Sequence, residues 1–162
     1  MLDIYTLGEP ILKNKTELVQ DIDAKLVETL DAMVVTMHRA RGIGLAAPQV
    51  GIGKRFFVVQ LEHEKPIFFI NPEITHTSTE RSLYEEGCLS IPGVYAEIER
   101  PAIITVQAFN EKGKRFTLEA SGLLARVILH EHDHLDGVLF IDKLLPSVRK
   151  KLIEQYETRM RA

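Results

Sequence analysis

Two histidines four residues apart, with a glutamate beside the first, constrain this chain more than any other feature. In the segment His130-Glu131-His132-Asp133-His134, the outer histidines stand at positions i and i+4. On an α-helix those positions lie one above the other, so both imidazoles can hold one metal ion. Glu131 lies about 100° further round the helix, where its carboxylate can reach a water on that ion. The pattern predicts a helix and is typical of metal-assisted hydrolysis, with two ligands and a general base on one turn.

The flanking residues favour a buried helix over a solvent-exposed helix end rich in histidine and acid. Ser121 is a candidate N-cap, and the apolar side chains that follow recur on one helix face. These apolar positions are Leu123, Leu124, Val127, Ile128 and Leu135. His132 lies two residues from each of the other histidines, on the far side of the helix. We therefore expect His132 to pack or to face solvent rather than to bind metal.

Two ligands do not complete a metal site, so a third must come from elsewhere in the chain. Zinc proteases with this motif usually take the third ligand from downstream, either a His in H-E-x-x-H-x-x-G-x-x-H or a Glu on a later helix. Gly137 fits the first pattern, but Phe140 stands where its histidine should be. The later acids Glu154 and Glu157 lie in a segment typical of an ordinary amphipathic helix.

The single cysteine of the chain is the upstream candidate for the third ligand. Cys88 follows Gly87 and precedes a Ser-Ile-Pro-Gly turn. A lone cysteine is most often a small buried apolar side chain. In a chain that lacks another third ligand, its position favours metal binding instead. A Cys-His-His set supplies one thiolate and two neutral imidazoles, and it leaves a divalent ion with net positive charge and an open fourth position.

A glycine-containing stretch at residues 42–51, GIGLAAPQVG, is the third notable segment. It begins like the G-x-G-x-x-A dinucleotide fingerprint, but that fingerprint needs a strand before it and a helix after it. The preceding residues are helical in pattern, and Pro48 fits poorly within a following helix. The stretch is either a turn that glycine permits or a backbone that passes close to a ligand, with Gln49 aimed at it.

These three segments, in this order, resemble the motifs of the peptide deformylase family. The family motifs read G-φ-G-φ-A-A-x-Q, E-G-C-φ-S and H-E-x-D-H-φ, where φ is apolar. Residues 42–49, 86–90 and 130–135 match all three. The similarity extends over the whole chain, including residues 122–126 before the third motif. Each motif alone is moderately specific, whereas the ordered trio is highly specific.

The resemblance implies a role for each matching residue. The residues that would hold the metal are Cys88, His130 and His134. Glu131 would be the general base and then the general acid, while the Gln49 side-chain amide and the Leu89 backbone N–H would stabilise the oxyanion. The residues that we expect in the substrate cleft are Ile43, Gly44, Gly87 and Val127. One position departs from the family pattern, because Leu129 stands where a Gln usually precedes the first metal-binding His. That departure affects a polar contact behind the site, and none of the ligands.

The resemblance also implies a substrate and a cofactor. The substrate would be the N-formylmethionyl end of a newly made polypeptide, close to the ribosome, and the product would be formate. One divalent metal ion would be required, with Fe²⁺ as the native ion and Zn²⁺, Ni²⁺ or Co²⁺ as substitutes. Gly44 could offer backbone groups to an extended peptide by strand addition. The methionine side chain would then enter an apolar pocket formed by Ile43, Val127 and the flank of His130.

The residues taken alone support metal-assisted amide hydrolysis, and two other classes of function are consistent with part of the pattern. A metal-dependent endopeptidase would need an extended cleft and a cysteine-free ligand set. A structural metal-binding module would use Cys88 and the two histidines to staple the fold. Structural zinc sites, however, are normally closed by four protein ligands. The formyl-methionyl substrate itself comes from the resemblance.

Length and charge bound the remaining possibilities. The 162 residues predict a single catalytic domain over residues 1–162. A net charge of −3, without a run of Lys or Arg, gives no electrostatic footprint for nucleic acid. The start carries Asp3 where a signal peptide needs basic residues, and no apolar run approaches the ~20 residues that span a bilayer. One cysteine allows no internal disulfide. We therefore expect a cytoplasmic protein without direct nucleic-acid or membrane contact.

The order of elements predicts an α+β fold, with antiparallel β-sheets packed around a central metal-binding helix and with N-terminal and C-terminal helices. The first helix would be capped by Asp21 or Asp23 and end near Gly42. The last would begin at Pro146 and dock through Val148, Leu152, Tyr156 and Met160. Strands are expected at residues 55–61, 66–70, 94–100, 103–109 and 114–119. An edge hairpin is expected at residues 75–83, and a short extended piece at 139–141.

Overall fold

The protein is described by a computed structural model that covers residues 2–162. Within these residues the helices are α1 (Ala24–Arg39), α2 (Gly122–Leu135) and α3 (Pro146–Arg161). The strands are β1 (Gly44–Ala46), β2 (Phe56–Val59), β3 (Ile67–Thr77), β4 (Arg81–Cys88), β5 (Ile91–Pro101), β6 (Ile103–Phe109) and β7 (Arg115–Ser121). Short 3₁₀ turns lie at Pro10–Lys13, Ala47–Val50 and Phe140–Lys143. None of the helices in this range has the length and apolar character to cross a membrane.

The strands form two antiparallel sheets that meet at helix α2. One sheet has five strands in the order β1-β2-β3-β6-β7, and the other is the β4-β5 hairpin. Helix α2 contacts β1, β2, β6 and β7 of the first sheet and β5 of the hairpin. The predicted α+β fold, with antiparallel sheets around the central helix that carries the histidine motif, is confirmed.

The five-stranded sheet is covered by a helix on each face, which explains the unbroken apolar run in β2. Phe57 and Val59 belong to the core cluster that includes Val127 and Ile128 of α2. Their neighbours in β2, Phe56 and Val58, belong to the cluster around α1, whose core residues are Leu30, Met33 and Met37. Because successive strand residues point to opposite faces, every residue of β2 is buried. The motif helix is thereby fixed against a rigid sheet.

Helix α3 packs against the hairpin through the middle of its predicted apolar stripe. Tyr156 is buried with Ile91, Val94 and Ile98 of β5, and Leu152 packs against the same cluster. The two ends of the stripe, Val148 and Met160, are 43% and 51% exposed. Residues spaced by four advance about 40° per step round the helix, so a strict i+4 stripe faces one partner only over its centre.

The predicted ends of helices α1 and α2 agree with the structure only in part. Helix α1 begins at the predicted cap, because the Asp23 carboxylate accepts a hydrogen bond from Leu26 N. It ends at Arg39, and the left-handed residue that follows is Arg41, with φ 62°, rather than Gly42. Ser121 is the N-cap of α2 but makes no side-chain capping bond. Leu123, predicted to be buried, is 45% exposed.

Two segments predicted as extended or paired strands have different structures. Residues 75–77 end β3 and residues 81–83 begin β4, and these strands belong to different sheets, so no edge hairpin forms. The polar residues at the end of β3 are extended because they pair with β6, for example His76 with Thr105. Residues 139–141 run into the 3₁₀ turn Phe140–Lys143, which Asp142 stabilises by accepting a hydrogen bond from Leu139 N (2.9 Å).

Candidate metal centre and active-site cavity

The three predicted metal ligands converge at one end of helix α2. Cys88 Sγ and one ring nitrogen from each of His130 and His134 all lie within 4.8 Å of one another. Among residues 2–162, this is the one group of three or more such side chains placed to share an ion. Both histidines are buried, with 8% and 1% exposure. His132 is absent from the group, and its Nδ1 lies 3.9 Å from Asp136 Oδ2 instead.

Cys88 reaches this position from the end of the β4-β5 hairpin. The strand register shifts between Gly87 and Cys88, so that Gly87 pairs with Tyr95 whereas Cys88 pairs with Ile91. Such an irregularity locally bends a strand and re-aims its side chains. The Cys88 thiol lies 3.4 Å from His134 Nε2. A Cβ added at Gly87 would come within 2.7 Å of the Tyr95 ring, so the glycine allows that ring to cover the backbone beside the cysteine.

The chemistry of this cluster fits a divalent cation. Burial lowers the pKa of His134. Burial acts in the same direction on His130, but hydrogen bonds to Cys88 and Glu86 outweigh it and raise the pKa of that ring. The hydrogen-bond partners of His130 therefore favour positive charge on that ring. A thiol and two imidazole nitrogens also form a donor set that binds soft and borderline divalent ions.

Glu131 lies beside the cluster without belonging to it. Its Oε2 is 4.0 Å from His130 Nε2, and its other oxygen is buried without a hydrogen-bond partner among the described residues. Burial raises the pKa of Glu131 to about 7. A bound cation would oppose this shift. A buried carboxylate with a free oxygen is suited to accept a proton from a neighbouring water.

Gln49 is held so that its amide nitrogen faces the cluster. Its Oε1 accepts a hydrogen bond from Ala46 N (2.9 Å), which fixes the orientation of the side chain. Its Nε2 donates to Ser90 Oγ (3.1 Å) and lies 3.6 Å from Cys88 Sγ. Gln49 is 1% exposed, so this orientation is fixed by buried contacts.

All of the predicted site residues except His134 line a single cavity of about 650 Å³. The predicted catalytic and metal-binding residues on its wall are Gln49, Cys88, Leu89, His130 and Glu131. The predicted substrate-binding residues on its wall are Ile43, Gly44, Gly87 and Val127. Sequence reasoning missed the side chains that complete the mouth of the cavity, among them Tyr84, Tyr95 and Leu123. Sequence periodicity indicates which face of a strand or helix a residue lies on, but not that residues from different elements meet at one cavity mouth.

Strand β1 presents an open edge to this cavity. β1 is the terminal strand of its sheet, and Gln60 N of the β2 side donates to Ile43 O (2.9 Å). Because backbone groups alternate sides along an antiparallel strand, the N–H and C=O of Gly44 point away from β2. Ala46 N, two residues on, likewise points away from β2 and bonds to the Gln49 side chain. Gly44 therefore has backbone groups directed at the open edge.

The absence of a side chain at Gly44 also makes room for Glu131. A Cβ at this position would lie 2.6 Å from Glu131 Oε2 and 2.8 Å from Val127 Cγ1. Gly44 does not have a left-handed backbone, so the glycine is needed for space rather than for its conformation. Glycine is therefore needed at position 44 to make room for Glu131, whereas the sequence predicted it only for the close approach of a peptide.

A buried ion cluster behind His130 had no predicted role. Glu86 Oε1 lies 2.9 Å from His130 Nδ1, and its carboxylate also accepts hydrogen bonds from Arg100 and Arg126. Burial alone would raise the pKa of Glu86, but hydrogen bonds from His130 and Arg100 outweigh it and lower the pKa to about 2. Glu86 lies in the cysteine motif, yet its partners are distant in sequence, so spacing could not identify them.

This ion cluster also accounts for the departure at Leu129. The polar contact behind His130 comes from Glu86 of β4, and not from the preceding helix residue. Leu129 instead packs against the core between α2 and the five-stranded sheet. An apolar residue at this position is therefore compatible with an oriented His130 ring.

Comparison with known proteins gives one consistent family. A family profile described as polypeptide deformylase matches residues 1–150. A peptide deformylase of Agrobacterium fabrum (strain C58) is 46% identical over 163 residues, which cover 98% of this chain and 96% of the relative. One from Treponema pallidum (strain Nichols) is 47% identical over 155 residues, with 96% and 95% covered.

Solved structures show the same similarity in three dimensions. A peptide deformylase from Synechococcus elongatus in complex with actinonin superposes with a TM-score of 0.91 and 44% identity, covering 95% of this chain and 86% of that one. One from Ehrlichia chaffeensis, also in complex with actinonin, has a TM-score of 0.96 and 36% identity, covering 100% and 99%. The similarity thus includes the hairpin and the helix that carry the candidate ligands.

Proposed function

Because the chain belongs to the polypeptide deformylase family, we propose that it removes the formyl group from the N-terminal methionine of newly made polypeptides and releases formate. The observation that carries this proposal is the convergence of Cys88, His130 and His134 at one cavity, whose wall also holds Glu131. Three ligands leave one position of a tetrahedral ion open, which suits a catalytic centre better than a structural one.

Cys88, His130 and His134 would hold one divalent ion. When bound, such an ion supplies Lewis-acid activation of a water molecule and of the substrate carbonyl. Fe²⁺ is the native ion in this proposal, and Zn²⁺, Ni²⁺ or Co²⁺ can replace it, because a thiolate with two imidazoles accepts all four. Protein purified without air, analysed for metal and then assayed after metal exchange, distinguishes among these ions.

Glu131 would move the proton in both halves of the reaction. Its unpartnered buried oxygen accepts a proton from the attacking water, and the resulting carboxylic acid returns that proton to the leaving amine. Because Glu131 is buried, its pKa is raised towards neutrality, which makes it a stronger base than an exposed glutamate. The residue would act without being a metal ligand.

Gln49 and Leu89 would stabilise the negative charge that develops on the formyl oxygen. The Gln49 amide nitrogen is directed at the cluster by the bond that Ala46 N makes to the other end of the amide. Leu89 directly follows Cys88 and lines the same cavity, so its backbone N–H is the second donor in this proposal. Donors fixed before the reaction need no reorganisation when the charge appears.

The substrate would bind as an added strand at the open edge of β1. Gly44 directs its backbone N–H and C=O to that edge, and the cavity continues from it to the metal centre. Main-chain pairing accepts any sequence, which suits an enzyme that acts on many nascent chains. The methionine side chain would occupy the apolar pocket bounded by Ile43, Val127 and the flank of His130.

We place this reaction in the cytoplasm, close to the ribosome. Nascent chains are the source of formylated N-termini, and a reactive thiol ligand needs a reducing compartment to remain free.

The direct test is formate release from formyl-Met-Ala-Ser by the metal-loaded protein. We expect one formate for each new Met-Ala-Ser amine, and no formate from the unformylated peptide. Casein provides the contrast with an endopeptidase. Cleavage of casein without formate release would favour the endopeptidase, and metal binding without either activity would favour a structural module.

A further inference from the structure

We propose that Arg126 is a positioning residue of the metal centre. It would hold the β4-β5 hairpin, which carries Cys88, in register with helix α2, which carries His130 and His134. The inference rests on metal binding at these three residues, as proposed above, and does not depend on the reaction that follows. It concerns a residue outside the ligand set and outside the predicted catalytic groups.

The need for such a residue comes from the topology. Cys88 and the two histidines come from separate elements, because the hairpin forms its own two-stranded sheet apart from the five-stranded one. A lone two-stranded hairpin has little stability of its own and must be fixed by packing. The distance between the thiol and the imidazoles therefore depends on what joins the hairpin to α2.

Arg126 joins α2 to both strands of the hairpin at once. Its Nη1 donates to Glu86 Oε2 (2.6 Å) and to the carbonyl oxygen of Ile98 (2.9 Å). Its Nη2 donates to the carbonyl oxygen of Ser82 (2.7 Å). Ser82 and Glu86 belong to β4, and Ile98 belongs to β5. A planar guanidinium with three fixed acceptors limits both sliding and rotation of the hairpin. Arg126 is 6% exposed, so solvent does not compete for these bonds.

One carboxylate connects this contact to a metal ligand. Glu86 binds Arg126 through Oε2 and faces His130 Nδ1 through Oε1 at 2.9 Å. Arg126 and His130 are themselves one helical turn apart, at i and i+4. Cys88 follows Glu86 by two residues in the same strand, so displacement of Glu86 would move the thiol and release the His130 ring together.

Arg100 cannot replace Arg126 in this role. It lies on β5, so its two bonds to Glu86 (2.6 and 3.0 Å) stay within the hairpin. It reaches α2 through the ion pair with Asp133 (2.8 Å), in which the Asp133 side chain is 20% exposed, whereas in the ion pair between Arg126 and Glu86 the side chains are 7% and 4% exposed. Arg100 would, however, keep Glu86 paired when Arg126 is replaced. A variant at position 126 should therefore remain folded.

The test measures metal binding without substrate. Co²⁺ affinity is determined by competition with a chelator, and the thiolate-to-Co²⁺ absorption band reports whether Cys88 is a ligand. Arg126→Met retains an unbranched, flexible side chain but donates no hydrogen bond. We expect affinity to fall about 10- to 100-fold, the usual effect of removing a group that orients a metal ligand. Arg126→Lys retains the charge but cannot make all three hydrogen bonds. We expect it to lower Co²⁺ affinity by a smaller factor, about threefold or more.

Two further variants separate positioning from a general effect on the hairpin. Arg81→Met is the matched control, because Arg81 lies on β4 and pairs with the exposed Glu99. The Co²⁺ affinity of this variant should equal that of the wild type. In a Glu86→Gln background, Arg126→Met should lower Co²⁺ affinity by a smaller factor than it does in the wild type, because the two residues act through one contact.

Wild-type affinity and an unaltered absorption band in folded Arg126→Met protein would overturn the inference. Should that variant not fold, wild-type affinity in Arg126→Lys would overturn it in the same way. Additive effects of Arg126→Met and Glu86→Gln would also contradict an action through Glu86. Failure of the wild type to bind Co²⁺ at all would count against the proposed metal centre itself, which keeps the two proposals distinguishable.

Discussion

At the scale of single residues, the site depends on how little space surrounds Glu131. The residue is 4% exposed, and a Cβ added at Gly44 of β1 would collide with its carboxylate. The candidate base and the candidate substrate edge therefore meet at one glycine. Steric effects at this position are therefore transmitted directly to the carboxylate.

Gly44→Ala should impair turnover, although alanine adds one methyl group. The new Cβ would stand 2.6 Å from Glu131 Oε2, so the carboxylate must move. A displacement of about 1 Å of a catalytic group typically costs around 100-fold in rate. The metal content of the variant should not change. Gly53→Ala is the control, because a Cβ there meets nothing within 4 Å. Equal kcat for Gly44→Ala and the wild type would mean that Glu131 need not occupy its present position.

Glu131→Gln should bind one metal ion as the wild type does and lose about 10²- to 10⁴-fold in kcat, the usual contribution of a general base. Glutamine keeps the size of the side chain but cannot accept the proton. His132→Ala, which alters the neighbouring residue outside the ligand group, should retain both metal and activity. Loss of metal in Glu131→Gln would show that Glu131 is a ligand and that its assigned role is wrong.

Cys88→Asp should still bind a divalent ion through an oxygen ligand, with its preference shifted from softer towards harder metals. The comparison is the ratio of Zn²⁺ to Mn²⁺ affinity in the variant and in the wild type. Because Cys88 Sγ lies 3.4 Å from His134 Nε2, a carboxylate oxygen at this position would still face the histidines. Unchanged metal content and activity in Cys88→Ala would remove Cys88 from the site.

At the scale of elements, the edge of β1 determines how much of a peptide the enzyme can engage. Formyl-Met-Ala-Ser can pair with this edge beyond its first residue, whereas formyl-Met alone cannot. Two lost main-chain hydrogen bonds at about 1 kcal/mol each correspond to roughly a 10- to 30-fold loss in kcat/KM. Steady-state kinetics on the two substrates measure this difference directly. Equal kcat/KM for both would refute docking by strand addition while leaving the metal chemistry intact.

The sequence predicted those elements whose signals are local. The i, i+4 histidines, the Asp23 cap and the regular alternation of residues 103–109 all depend on neighbours within one turn or one strand, and each matches the structure. The hairpin expected at residues 75–83 does not form because the end of β3 pairs with β6 and the start of β4 pairs with β5, both of which lie further along the chain. Long-range pairing has no local signature, and the same reason explains why the contacts of Glu86 were missed.

At the scale of the whole molecule, one carboxylate joins the N-terminal 3₁₀ turn to the start of helix α3. Asp142 accepts hydrogen bonds from Lys13 Nζ (2.6 Å), Leu139 N (2.9 Å) and Arg149 Nε (2.8 Å). Burial alone would raise the pKa of Asp142, but its bonds to Lys13, to the Leu139 backbone and to Arg149 outweigh burial and lower it from the usual 3.8. The N-terminal 3₁₀ turn and helix α3 are thereby fixed to the same point.

Replacing the Asp142 carboxylate should make the thermal stability of the protein depend less on pH in the acid range. A lowered pKa in the folded state contributes stability above the unfolded value of 3.8, and that contribution is lost as pH falls through the folded value. Asp142→Asn should therefore lower Tm at pH 7, and the difference in Tm from the wild type should narrow as the pH falls below 3.8. Because Lys13 and Arg149 are partly exposed, we expect the substitution to lower the free energy of unfolding by about 1 kcal/mol, which corresponds to a decrease in Tm of roughly 3 °C. Thermal unfolding at several pH values measures this effect, with Asp21→Asn as an exposed control. A difference that stayed constant with pH would exclude the carboxylate as its source.

The central proposal for the whole molecule is that a single ion held by Cys88, His130 and His134 is required for formate release. Glu131 would act beside this ion without binding it. The most direct measurement starts from protein stripped of metal by a chelator. Fe²⁺ is added back without air, and bound iron and the rate of formate release from formyl-Met-Ala-Ser are measured at each step. The rate should rise linearly with bound iron and level off at one ion per chain. Glu131→Gln should bind the same one ion and release almost no formate. Formate release by the stripped protein, or a rate that does not follow bound iron, would contradict the claim.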